Sequence, residues 1–183
     1  MIQPQEAATA LKEIARAEQH SGQAYHYQKA SAHLFLWGAI WIVGYAATYF
    51  RPRWYGIWLI LTVAGIIGSF WISWRAAAGR SQSSFGWRYA ASFIAVFLFI
   101  EALFAILPPK SGLQVDAFFP LLVALCYVLL GLWMRATRMA VLGVALGALT
   151  VGGYFWLPQH FLLWMAGVGG GALILGGFWL RKV

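Results

Sequence analysis

Phe118-Phe119-Pro120-Leu121-Leu122-Val123-Ala124-Leu125-Cys126-Tyr127-Val128-Leu129-Leu130-Gly131-Leu132 is the stretch that decides the fold. It is fifteen residues without a charge, and its apolar residues do not alternate with polar ones. A strand of a transmembrane barrel would alternate over about ten positions. In lipid every backbone group must be paired inside the protein, so an uninterrupted apolar run means a helix. A bilayer core about 30 Å thick needs about 20 such residues, at about 1.5 Å of rise per residue.

Working outward, six segments meet or approach that length: Leu34–Phe50, Trp54–Trp74, Tyr89–Leu107, Ala117–Trp133, Met139–Trp156 and Phe161–Leu180. The fold class expected is therefore all-α, a polytopic bundle of about six transmembrane helices. Residues 1–32 would form a polar, partly helical tail, and residues 33–183 the membrane domain. Composition agrees, with 62% hydrophobic and only 10% charged residues. A soluble domain carries roughly a quarter charged residues. The start of the chain lacks the basic-then-apolar pattern of a cleavable signal, because Glu6, Glu13 and Glu18 interrupt it.

The net charge of +8 does not point to nucleic acid. The basic residues stand mostly singly at the ends of apolar runs, which is how a membrane protein sets its orientation. With the N-terminus inside, the inner side holds ten of the thirteen Lys and Arg residues, and the outer side holds Arg51, Arg53 and Lys110. Both ends are thus expected in the cytoplasm. Tryptophans cluster near the helix ends: Trp54, Trp156 and Trp164 at one, Trp37, Trp71, Trp74, Trp87, Trp133 and Trp179 at the other. An indole has an apolar body and one polar N–H, so it favours the headgroup boundary. The outer turns are short and carry Pro52, Pro108 with Pro109, and Pro158.

Glu101 is the candidate site for a proton or cation, because it lies in Phe97-Leu98-Phe99-Ile100-Glu101-Ala102-Leu103-Phe104. A carboxylate at membrane depth is costly and marks either a functional site or a bond between helices. Tyr45, Thr48 and Thr150 are its possible partners on the second view. Gly143 and Gly147, and again Gly167 and Gly171, have the four-residue spacing that lets helix backbones approach closely. They are the candidate helix-packing residues, either between the fifth and sixth helices or between copies of the chain. The rival for the glycine run of the sixth helix is a broken helix lining a substrate site. Asp116 is expected to cap the fourth helix, with Pro120 harmless in its first turn. The first and third hairpins align at a shift of 106 residues, matching Pro52 with Pro158, Trp58 with Trp164, Gly65 with Gly171 and Arg75 with Arg181.

No nucleophile motif, paired intramembrane carboxylates or metal-ligand spacing is present in the sequence, so neither a catalytic residue nor a metal or cofactor is assigned. Cys126 has no second thiol and reads as a small apolar residue.

Leu36-Trp37-Gly38 with Trp41, Pro120–Leu125, and Gly153-Tyr154-Phe155-Trp156-Leu157-Pro158 through Trp179-Leu180-Arg181 together resemble a group of small bacterial six-helix inner-membrane proteins. The resemblance implies a multi-pass location in the bacterial inner (plasma) membrane and carries over no functional residue. Two functions compete. One is a regulatory or interaction protein whose bundle anchors the tail for a cytoplasmic protein partner. The other is a small proton- or cation-coupled transporter or channel. The lipid bilayer is the expected surrounding in both, and a homo-oligomer is compatible with either.

Overall fold

The computed structural model describes residues 30–77 and 87–181. The expected tail lies outside the described residues, apart from its last three positions, which are already helical. The described residues are helical with short connectors, and none is in a strand. The helices are α1 Ala30–Phe50, α2 Ile57–Ala77, α3 Trp87–Ile106, α4 Gly112–Trp133, α5 Thr137–Trp156 and α6 Pro158–Arg181. Five of them are long and apolar enough to cross a bilayer; α3 contributes a shorter apolar stretch, Ile94–Ile106.

Boundaries differ from the sequence reading in two instructive places. Pro52–Trp54 forms a separate single turn of 3-10 helix, so α2 begins at Ile57 and not at Trp54. Proline at the first position of that turn loses no bond. α4 begins at Gly112, five residues earlier than the apolar run suggests. Ser111 is the N-cap residue without a capping bond from its side chain, and the Gln114 side chain accepts the Lys110 backbone N–H at 2.7 Å. Ser-x-x-Gln has the spacing of a capping box, but neither of its two reciprocal bonds forms here.

α1, α4, α5 and α6 supply most of the buried core. α1 and α6 run antiparallel and zip along one line. Ser31 donates to the Gly177 carbonyl at 2.8 Å. Phe35 meets Phe178 edge to face, with ring centres 4.8 Å apart. Gly38 and Gly170 then bring the two backbones together, since a Cβ on either would stand 3.0 Å from the other's carbonyl oxygen. Small residues allow that approach, and dispersion between the close backbones stabilises it. α4 and α5 pack as closely: a Cβ on Gly143 would lie 2.6 Å from the Ala124 carbonyl oxygen.

The glycine run of α6 is not a break. Met165–Gly169 widens into one π-helical turn and the helix continues. A π turn accommodates one extra residue within a helix. α2 and α3 lie at the edge, α2 against α1 through Trp37, whose indole donates to Ser69 Oγ at 3.2 Å, and α3 against α4 through Phe104 and Phe118.

The α4–α5 connector is tight. Ala136 N–H bonds the Gly131 carbonyl at 2.7 Å and Arg135 N–H bonds the Leu132 carbonyl at 3.2 Å, the paired bonds of a Schellman turn. Arg135 occupies the left-handed position with φ of 53°, the one positive-φ non-glycine among the described residues. A Cβ there costs roughly 1–2 kcal/mol. Arg135→Gly is therefore expected to raise the unfolding midpoint in detergent. Arg135→Val, with a branched Cβ at the same φ, is expected to lower it. Equal midpoints for the three proteins would contradict the strain.

Candidate functional site

The polar residues of the bundle converge where α1 hands over to α2 and meets α4. Pro120 is the ninth residue of α4, well inside the helix and not in its first turn. It has no N–H, so the carbonyl four residues earlier, that of Asp116, loses its helical donor. Tyr45 on α1 replaces it: the hydroxyl donates to the Asp116 carbonyl oxygen at 2.9 Å. Tyr45 is buried, with Trp58 edge to face at 4.8 Å and Trp41 at 6.0 Å. The Trp58 indole donates to Thr48 Oγ1 at 3.0 Å, and Thr48 donates to the Gly44 carbonyl at 2.9 Å. Gly44 makes room for the Trp58 ring, since a Cβ there would come within 2.8 Å of it.

Asp116 does not cap α4. The capping position is Ser111, and Asp116 stands one turn further in, with its side chain largely buried. Its Oδ2 accepts the Tyr55 hydroxyl at 3.0 Å. Tyr55 lies in the α1–α2 connector and nearly half of it is exposed, but its hydroxyl is turned to the carboxylate. Burial above all, then the charge of Asp116 and the bond to it, push that hydroxyl up to about 12. Tyr55 is therefore a protonated donor throughout the physiological range. One aspartate thus fastens two elements to α4, α1 through its carbonyl and the α1–α2 connector through its carboxylate.

Glu101 is exposed on the rim of this end of the bundle. Its three expected partners are used elsewhere: Tyr45 by Asp116, Thr48 by Gly44, and Thr150 by its own helix through the Leu146 carbonyl at 2.8 Å. No ion pair holds Glu101 among the described residues, and no group of three or more His, Cys, Asp or Glu side chains is placed to hold a metal there. The two glycine pairs separate. Gly143 packs tightly on Ala124 and Val128 of α4, whereas a Cβ on Gly147 would meet Ala124 at an ordinary 3.6 Å. Gly167 and Gly171 face open space. The contacts between α5 and α6 run through other glycines, Gly153 beneath Trp164 and Gly176 beneath Leu142.

The two proline turns share a device. Pro158–His160 is a single 3-10 turn like Pro52–Trp54. Trp164 reaches back across its turn to the Leu149 carbonyl at 2.9 Å, as Trp58 reaches back to Thr48. Gly65 and Gly171 do not correspond in this way, because Gly65 receives Ile40 and Trp37 while Gly171 meets nothing. Tyr49, at the end of α1, meets His160 of the second turn, with hydroxyl and Nδ1 3.1 Å apart.

No family model, curated protein or solved structure matches the chain.

Tyr45→Phe leaves the Asp116 carbonyl without a donor in an apolar setting, which costs about 1–3 kcal/mol. In a Pro120→Ala background the residue-120 N–H can take that carbonyl, so the same substitution should cost much less. Unfolding of the four proteins of this cycle in detergent measures the difference. Equal costs in both backgrounds would show that the hydroxyl does not serve the proline.

Proposed function

We propose that the chain is a multi-pass protein of the bacterial inner membrane, with both ends in the cytoplasm, that works by contact. The bundle anchors the N-terminal tail, which docks a cytoplasmic protein partner. The observation that carries this reading is how the bundle uses its polar side chains. Ser31, Tyr45, Thr48, Thr150, Trp164 and Arg138 each donate to a backbone carbonyl of the bundle itself. Every buried side-chain nitrogen and oxygen among the described residues has a partner. Side chains committed in this way hold helices together, and a scaffold needs that. The orientation has further support among the described residues. At the end opposite the proline turns lie Arg75, Arg135, Arg138 and Arg181 and no acid, whereas Glu101 and Asp116 lie at the proline end with Arg51, Arg53 and Lys110. Trp54, Trp71, Trp74, Trp133 and Trp156 are exposed near the helix ends, as a headgroup belt requires.

Deleting residues 1–29 tests the reading. Partner co-purification should be lost while the remaining chain stays monodisperse and keeps its helical circular dichroism. Co-purification that survives the deletion would overturn it.

Proton- or cation-coupled transport is the second reading, favoured by the placement of both described carboxylates at one end of the bundle. On that reading Glu101→Gln lowers coupled flux into liposomes by at least about tenfold, as for a lost charged site. Absence of flux by the unmodified protein across a broad panel of ions would dispose of it.

A further inference from the structure

We propose that the end of the bundle opposite the proline turns is a binding surface for anionic phospholipid, built from arginines that rest on aromatic rings. Arg75, Arg135, Arg138 and Arg181 stand at this end, while Glu101 and Asp116, the two described carboxylates, stand at the other. No acid among the described residues is therefore placed to neutralise them. The 78–86 connector adds Arg80 and no acid to the sequence at this end. Three of the four arginines use rings instead. The Arg75 guanidinium carbon lies 4.1 Å from the centre of the Trp71 ring, that of Arg181 4.8 Å from Phe35, and that of Arg138 5.5 Å from Trp179. Arg138 also donates from Nη1 to the Trp179 carbonyl at 2.9 Å. Phe178 braces Phe35 edge to face.

A ring attracts the charge of a guanidinium but offers its N–H donors no lone pair. A phosphodiester supplies what is missing, since it accepts two of those donors side by side and carries the opposite charge. The placement of the arginines selects the form in which that phosphate arrives. On α6, Gly177 and Phe178 face Phe35 of α1 whereas Gly176 faces Leu142 of α5, so Arg181 and Arg138 meet the end of α6 from different sides. Arg75 belongs to α2, which packs on α1 through Leu36 and Trp37. One compact soluble anion does not span such a spread, but a shell of headgroups round the bundle does. The depth agrees. Trp71 and Trp179 are themselves exposed, as are Trp74 and Trp133 at this end. Exposed indoles settle at the headgroup boundary, so an arginine carried on one is held at the level of the phosphates. The inference rests on the bundle's spanning a membrane and not on the tail. A protein that is folded in nanodiscs yet indifferent to headgroup charge would fail this inference alone.

The test offers the full chain, in mild detergent, an equal mixture of phosphatidylglycerol and phosphatidylcholine, and counts the retained lipids by native mass spectrometry. Phosphatidylglycerol is expected to be enriched. The triple variant Arg75→Gln, Arg138→Gln, Arg181→Gln is expected to lower that enrichment at least about tenfold, since each arginine near an anionic surface contributes roughly fivefold. Arg51→Gln, Arg53→Gln, Lys110→Gln removes the same charge from the other end and is expected to leave the enrichment in place. Should the first triple fail to fold, Arg75→Gln with Arg181→Gln keeps the Arg138–Trp179 bond and is still expected to lower it. Replacing sodium chloride by inorganic phosphate at equal ionic strength should not displace the lipid. Retention of both lipids alike by the unmodified protein would overturn the proposal. So would an equal loss in the two triple variants, or displacement by inorganic phosphate, which would mark a site for a soluble anion.

Discussion

The carbonyl of Asp116 has no donor in its own helix, and the rest of this end of the bundle is arranged around that fact. Pro120 removes the donor and Tyr45 restores it from α1. In water the gap would be filled by solvent. In an apolar bundle it has to be filled by a side chain at a set depth and angle. Tyr45 in turn needs Trp41 and Trp58 beside it, and Trp58 needs the space left by Gly44. A single missing N–H therefore fixes the position of α1 on α4, and with it the place of the α1–α2 connector.

The same economy governs the other polar side chains. Ser31, Thr150, Trp164 and Arg138 are spent on main-chain carbonyls, at both ends of the bundle. Glycine does the complementary work by removing side chains where backbones must meet, as at Gly38 with Gly170 and Gly143 with Ala124. Packing by small residues and bonding by hydroxyl and indole groups are what can hold together helices that are apolar on every side. The α1–α6 and α5–α6 contacts use both, and the α4–α5 contact uses small residues. α2 joins α1 in the same way, through Trp37 with Ser69 and Gly65 with Ile40, while its outer face and most of the described face of α3 carry large exposed apolar side chains.

Much of the architecture is legible in the sequence. Long uncharged runs can only be helices in lipid, so the number and order of the helices follow from length and composition. The helix ends were harder. Asp116 reads as a cap because it stands just before Ala117, where the apolar run starts; the helix in fact begins a turn earlier, after Ser111, in a polar stretch that the apolar run does not mark. Misplacing that start also hid the meaning of Pro120, which is harmless in a first turn and consequential in a second or third. The glycines showed the opposite difficulty. Four-residue spacing identifies a face that could pack, but not what it packs against, and Gly167 and Gly171 have the spacing of Gly143 and Gly147 without a neighbour. Tyr55 carried no sequence signal at all, since its partner is 61 positions away.

The arginine at the α4–α5 turn has a meaning beyond local geometry. Glycine would sit at that left-handed φ without penalty, yet the chain places its longest cation there. A folded bundle gains nothing visible from the choice. On the proposed orientation the charge stands in a cytoplasmic connector, where a cation biases which way a helical hairpin enters a bilayer. The strain at this φ is then what the position of that charge costs the folded bundle.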